Sequence, residues 1–293
     1  MNTILVTGAG GLIGKAVCLF LYNNGFNFMA VYHKEPEQKV LWAYIVLDLA
    51  TTKLRNIHEI DIIIHCAALI PSIENSFERC FEINTKINKN IYEFAQTNSI
   101  KKLIFISSTN VYDMTTQVID EGSPLCITNL YAQEKINAEK MFFTLNNTEV
   151  ICLRVNAPYH FSTKYNTVLK IFIENACKNI DLVYHGSGER RQDFIHVNDL
   201  ATIIVKVLLS NYTGIYNVAH GKPITMKELG TKIIELTPSC KSSLQSSSQA
   251  DSQENNKANF DISKLKKDFD WQPSVTLENG IKEWISFLMT KYE

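Results

Sequence analysis

Tyr131-Ala132-Gln133-Glu134-Lys135 places a phenol and an ammonium four residues apart, a spacing that puts both on one face of a helix. A free tyrosine, with pKa about 10, is a poor acid or base at neutral pH. A neighbouring Lys⁺ favours the phenolate, so the pair is expected to work closer to neutrality. Ser107-Ser108-Thr109 ends a β-branched and aromatic run, Lys102–Ser107, that reads as a buried strand. Hydroxyls at that strand end can hydrogen-bond a carbonyl oxygen while hydride is transferred. A third feature lies at the start of the chain. Gly8-Ala9-Gly10-Gly11-Leu12-Ile13-Gly14 follows the strand-like run Thr3–Thr7 and opens a helical stretch, Leu12–Asn24. Small residues permit the tight turn and let backbone approach a pyrophosphate. The helix N-terminus then faces the phosphates. Gly8, Gly11, Leu12, Ile13 and Gly14 are therefore candidate cofactor contacts.

The elements that must position these groups alternate in type. Strand-like runs at Phe28–His33, Tyr44–Leu47, Asp61–Cys66 and Glu149–Arg154 alternate with helical stretches at Ser72–Thr97 and Leu130–Leu145. That alternation predicts βαβ units and an α/β Rossmann fold, a doubly wound parallel sheet buried on both faces. Further on, Asn166–Asn179, Asn198–Ser210 and Thr225–Leu236 read as helices, and Leu182–Tyr184 and Ile215–Val218 as strands. The serine-rich stretch Pro238–Asn256 reads as a mobile loop, and Thr276–Met289 resumes helical spacing. The expected division is a dinucleotide-binding domain from 1–155 plus 193–219, with a small C-terminal α/β substrate lobe from 156–192 plus 220–293.

Composition narrows the function classes. The 293 residues carry 29 Lys+Arg against 30 Asp+Glu, a net charge of −1, which argues against a nucleic-acid binder. No run is apolar enough to span a membrane, and the N-terminus lacks the basic region of a signal peptide. Seven scattered cysteines without a CxxC pair fit reduced thiols and a cytoplasmic location. No His/Cys/Asp/Glu group has metal-ligand spacing, so no metal is expected.

Cofactor type is read from the second and third strands. No carboxylate precedes Glu35 at the end of the second strand, where an NAD site usually carries one for the ribose 2′-OH. His33 and Lys34 would suit a 2′-phosphate, which points to NADP(H) in preference to NAD; both also read as solvated loop residues. Asp48, with Leu49 beside it, stands where a carboxylate would meet the adenine amino group, or simply caps its loop.

Taken together, these residues resemble the extended short-chain dehydrogenase/reductase family, in its branch acting on nucleotide-sugars. The resemblance runs through Thr7-Gly8-x-x-Gly11-x-x-Gly14, His65-Cys66-Ala67-Ala68, Asn84, Ser107-Ser108-x-x-Val111-Tyr112, Tyr131-x-x-x-Lys135 and Leu153-Arg154. It continues through Gly186-x-Gly188, Asp193-Phe194-Ile195-His196-Val197-x-Asp199-Leu200-Ala201, Tyr216-Asn217-Val218 and Asp261-Ile262-Ser263-Lys264 to Trp271-x-Pro273. It implies Ser108, Tyr131 and Lys135 as catalytic residues, with Lys135 also holding the nicotinamide ribose and Ala67 and Ala68 lining the cofactor. It places Ser108, Thr109, Asn156, Arg190 and Arg191 at the substrate, the two arginines at its diphosphate. The family's dehydratases carry Asp-Glu where this chain has Thr109-Asn110, and its epimerase-reductases carry Cys at Thr109. Gln192 replaces a usual Arg, and His160 a usual Gly. The expected activity is therefore NAD(P)(H)-dependent reduction of the 4-keto group of a nucleoside-diphosphate 6-deoxyhexose. The alternatives are a nucleotide-sugar 4-epimerase with tightly bound NAD and, behind it, a dinucleotide sensor. Homodimerisation through Ser72–Thr97 and Leu130–Leu145 is expected by the same analogy.

Overall fold

The computed structural model describes residues 2–292 apart from Asn56, His58 and Ala258; Met1, with which the N-terminal reading begins, lies outside them. Seven strands form one sheet: β1 (Ile4–Thr7), β2 (Phe28–Tyr32), β3 (Ala43–Val46), β4 (Ile62–His65), β5 (Lys102–Ser108), β6 (Glu149–Val155) and β7 (Gly214–Val218). Their order is β7-β6-β5-β4-β1-β2-β3, and every pairing is parallel. The central strands β1, β4 and β5 are almost wholly buried, as their unbroken apolar runs require when helices cover both faces. The predicted α/β Rossmann fold is the observed one.

Among the described residues eight α-helices accompany the sheet: α1 (Leu12–Asn23), α2 (Phe77–Thr97), α3 (Leu130–Phe142), α4 (Val168–Cys177), α5 (Val197–Leu208), α6 (Met226–Leu236), α7 (Ser263–Phe269) and α8 (Leu277–Tyr292). On one sheet face α1 and α5 join a core that includes Val17, Leu21, Ile204 and Leu208; on the other, Ile91, Phe94 and Phe142 of α2 and α3 pack against Ile63, Leu103 and Phe105. A third core, built from Leu169, Phe172, Leu229, Ile233, Ile281 and Trp284, belongs to α4, α6 and α8. Phe260, Ile262, Leu265, Phe269 and Trp271 pack on the sheet, although the sequence reading groups them with the lobe. Helix starts follow their caps. Ser76, Asn129 and Thr167 accept the N–H three residues on, and Thr225 forms a complete capping box with Glu228.

The serine-rich stretch departs from expectation. Leu244–Ser246 is a strand paired in parallel with Leu182–Tyr184, and Ser187 is held by Glu254. Its order comes from backbone pairing and from Leu244 seated over Gly230, where a Cβ would lie 2.5 Å from the leucine methyl. Composition is blind to such order because backbone hydrogen bonds do not depend on side-chain hydrophobicity.

Candidate active site

Strand order reverses at β1, since the chain runs outward through β2 and β3 and returns to β4 on the other side. Such a reversal opens a crevice at the carboxyl ends of the strands, where α/β sheets bind ligands. Gly8 and Ala67, just past the ends of β1 and β4, pack backbone against backbone there. A Cβ on Gly8 would lie 2.6 Å from the Ala67 nitrogen, and one on Gly14 would lie 2.2 Å from the Gly8 carbonyl oxygen. Gly8 also has φ +69, a conformation glycine adopts without strain. Gly11 caps α1 without a side-chain oxygen, and the first turn has no acidic residue. The positive end of α1, with Leu12 and Ile13 in its first turn, thus opens into the crevice with its dipole uncompensated, so the glycine cradle fits a pyrophosphate. His33 lies just beyond β2, with its ring 3.8 Å from Asp48, and both side chains are well exposed. Lys34 is also exposed, whereas Leu49 is buried. Asp48 Oδ1 accepts the Ala50 N–H, so it caps its loop.

Ser108 ends β5 and Tyr131 begins α3, with Lys135 one turn further on. The Ser108 hydroxyl lies close enough to Tyr131 to act on its phenol, favouring the phenolate. Tyr131 and Lys135 are buried, with Lys135 Nζ 5.6 Å from the Tyr131 ring centre, 4.8 Å from that of Phe105 and donating to the Ile106 carbonyl at 3.4 Å. The Tyr131 phenol does not become more acidic overall. Burial raises its pKa more than the Lys135 ammonium lowers it. The expected pull of the lysine is present, but desolvation of the phenolate outweighs it.

What aligns β5 with α3 is a buried network that sequence spacing does not reveal. Glu139 accepts from Ser107 Oγ at 2.5 Å and is gripped by Arg154 at 3.0 and 2.6 Å. Arg154 also donates to Tyr112 Oη at 2.7 Å, and that hydroxyl donates to Asn217 at 2.8 Å. Burial works against the guanidinium charge, yet Glu139 and Tyr112 together raise the Arg154 pKa. One hydrogen-bonded hub therefore ties β5, β6, β7 and α3 together just beneath Ser108. Glu139 went unnoticed because its partner is fifteen residues away; its only sequence signal is that it continues the Tyr131–Lys135 helix face.

The remaining predicted residues divide. Ala67 and Ala68 line the crevice edge, half-buried. Thr109 is turned inward, donating to Asn156 Oδ1 at 3.0 Å, while Asn156 donates to the Asp193 carbonyl at 2.8 Å. Arg190 lies in a contact of 2.8 Å with Asp251 and donates to Gln253 at 2.9 Å, so the serine-rich segment engages its charge. Arg191 stays exposed on a short strand paired with Ile224–Thr225. A cavity of about 680 Å³ beside Phe194, Lys222, Lys227 and Leu277 is lined by none of Ser108, Tyr131 or Lys135.

Three distant residues meet where the reading saw no cluster. Nε2 of His160 and of His196 lie 3.7 and 3.2 Å from the Glu283 carboxylate. Nδ1 of each ring accepts a backbone N–H, from Ser162 and Asn198, so each Nε2 carries its hydrogen toward Glu283. The cluster is a polar clamp joining α8 to the start of α5.

The profile of the NAD dependent epimerase/dehydratase family matches residues 4–219. The chain is 26% identical to mouse dTDP-D-glucose 4,6-dehydratase over 315 residues, covering 97% of this chain and 88% of that one. It is 25% identical to Escherichia coli dTDP-4-dehydro-6-deoxyglucose reductase, covering 99% and 98%. Among solved structures, a Bacillus cereus UDP-glucuronic acid 4-epimerase in complex with UDP-glucuronic acid and NAD superposes with a TM-score of 0.87 at 20% identity, over 99% of this chain and 100% of that one. With the matched profile spanning most of the chain and the glycine cradle and Ser-Tyr-Lys set both in place, the protein belongs to the NAD dependent epimerase/dehydratase family.

Proposed function

We propose that this chain is a nucleotide-sugar reductase that prefers NADP(H) and acts on the 4-keto group of a nucleoside-diphosphate 6-deoxyhexose. The observation that carries the reading is that Ser108 ends β5 while Tyr131 and Lys135 lie buried on one face of α3, with Lys135 Nζ over the Phe105 ring and donating to the Ile106 carbonyl of β5. The nicotinamide, when bound, supplies hydride to the carbonyl carbon. Ser108 Oγ orients the carbonyl oxygen, and Tyr131 donates its proton to the developing alkoxide. The Lys135 ammonium holds its place through the Ile106 carbonyl and the Phe105 face, and steadies the negative charge left on the phenol oxygen.

Two features favour reduction over water elimination. Thr109 and Asn110 offer no carboxylate beside Ser108, and the Thr109 hydroxyl is committed to Asn156. The Escherichia coli relative is named as a reductase of a 4-dehydro-6-deoxy sugar nucleotide. Exposed His33 and Lys34 at the end of β2 support the 2′-phosphate, and exposed Arg191 offers a cation to the diphosphate. We assign Ala67 and Ala68 to the nicotinamide side of the crevice, Asp48 and Leu49 to the adenine side, and the paired helices α2 and α3 to a homodimer face. The test is cofactor turnover. Stoichiometric NADPH loss with a 4-keto-6-deoxy sugar nucleotide supports the reductase; interconversion of UDP-sugars without net loss, using copurified NAD, would replace it with the 4-epimerase.

A further inference from the structure

Glu134 directly precedes Lys135 on α3, and its side chain is only 2% exposed. A buried carboxylate is costly unless its oxygens are paired, and an apolar residue of the same size is often no worse for stability. Its surroundings are lopsided. Oε1 accepts from the Asn88 amide, whereas Oε2 has no hydrogen bond and lies 3.9 Å from Lys135 Nζ.

The Asn88 contact is the end of a chain that begins at the cofactor crevice. Thr7 Oγ1 accepts the Ala67 N–H at 3.3 Å and lies 2.7 Å from His65 Nδ1. Burial holds the His65 ring neutral, with its pKa lowered to about 3; because Asn88 turns Nδ2 to the Glu134 carboxylate, its Oδ1 faces His65 Nε2 at 2.8 Å and accepts the ring hydrogen, leaving Nδ1 to accept from Thr7 Oγ1. Asn88 Nδ2 in turn donates to Glu134. Every donor in the chain points the same way, and the chain terminates on a carboxylate. The carboxylate at position 134 sets that polarity, and its second oxygen is left facing Lys135.

We propose that Glu134 is a positioning residue that opposes the Lys135 ammonium and so adds to burial in holding Tyr131 in its proton-donating form. The inference rests on the reductase reading, because reduction requires a phenol at the start of turnover and alcohol oxidation requires a phenolate. The groups facing Tyr131 and Glu134 agree in sign. Burial, Glu134 and Cys80 of α2 raise the Tyr131 pKa, while Lys135 and the Ser108 hydroxyl lower it. Around Glu134 itself, burial raises the pKa, and Lys135, Asn84 and Asn88 lower it. His65 and Cys66 at the end of β4 are both neutral groups near Lys135, and Tyr165 is the remaining titratable neighbour of Tyr131.

The test is Glu134→Gln, which keeps size and an oxygen for Asn88 but removes the charge. In the full-length chain labelled at the tyrosine ζ-carbon, the Tyr131 resonance is the one missing from Tyr131→Phe. Its titration midpoint is expected to fall in Glu134→Gln by about half to one unit, and to stay near wild type in Glu134→Asp. A wild-type midpoint beyond the stable pH range with the Glu134→Gln midpoint inside it counts the same way. The basic limb of kcat/KM for NADPH-dependent reduction should move to lower pH by the same amount, which a purely structural loss would not produce. An unmoved or raised midpoint overturns the proposal whatever the turnover. Absence of turnover with a lowered midpoint leaves the role of Glu134 standing and removes the reductase reading.

Discussion

Tyr131 is the residue on which the chemistry turns. Removing its hydroxyl in Tyr131→Phe leaves a buried ring of nearly the same volume, so the fold should persist while kcat falls. General acid catalysis contributes about 10²–10⁴-fold, and a loss in that range with an unchanged melting temperature is expected. Circular dichroism alongside the rate assay checks both halves. Gly14 is the second single-residue test. A Cβ there would sit 2.2 Å from the Gly8 carbonyl oxygen, which is backbone and has little freedom to yield. Gly14→Ala should weaken dinucleotide binding at least about tenfold and destabilise the chain by about 1–3 kcal/mol, the usual cost of overpacking. Fluorescence titration with NADPH and urea denaturation read the two effects separately.

At the scale of elements, the hub of Ser107, Glu139, Arg154, Tyr112 and Asn217 sets how α3 meets β5, and so the distance from Ser108 to Tyr131. Both members of its ion pair are nearly inaccessible to solvent. Breaking a buried pair from one side strands the other charge, so Arg154→Met should cost about 3–5 kcal/mol in chemical denaturation. A loss below about 1 kcal/mol would show that the hub is not what holds these elements. The two layers of information separate here. Tyr131, Lys135, Ser108 and the glycine cradle were legible because each signal lies within a dozen contiguous residues and obeys a helical or turn spacing. Glu139–Arg154 and the His160, His196 and Glu283 clamp were not, because their spacing exists only after folding. The strand Leu244–Ser246 was hidden for a different reason, being held by backbone pairing that serine-rich composition does not disclose. Arg190 was legible as a cation, but its engagement by Asp251, sixty-one residues later, was not.

For the whole molecule, titration of buried groups shapes stability. Burial lowers the His65 pKa to about 3 and the His160 pKa to about 4. Each binds a proton more readily unfolded, so the stability they allow is present above about pH 6.5 and is lost as pH falls. Asp193 acts oppositely. Burial raises it to about 6, so its contribution is full below the unfolded value near 4 and is lost as pH rises through 6. From pH 7.5 to 5 His65 alone withdraws about 2 kcal/mol and Asp193 returns about 1, with His160 adding to the loss. Urea denaturation should therefore show lower stability at pH 5 than at pH 7.5. His160→Asn, which keeps an acceptor near Ser162, should lessen the difference. Equal or greater stability at pH 5 would contradict this assignment of buried neutral histidines.

In the proposed reaction the α1 dipole with its glycine cradle, the β5 hydroxyl and the α3 phenol would act on one bound cofactor and substrate. The most direct measurement is the 340 nm absorbance of NADPH mixed with the full-length chain and a 4-keto-6-deoxy sugar nucleotide. The account predicts one NADPH oxidised per sugar reduced, slower turnover with NADH, and loss of the signal in Tyr131→Phe. Interconversion of sugars with no net NADPH consumption, or consumption that survives in Tyr131→Phe, would contradict it.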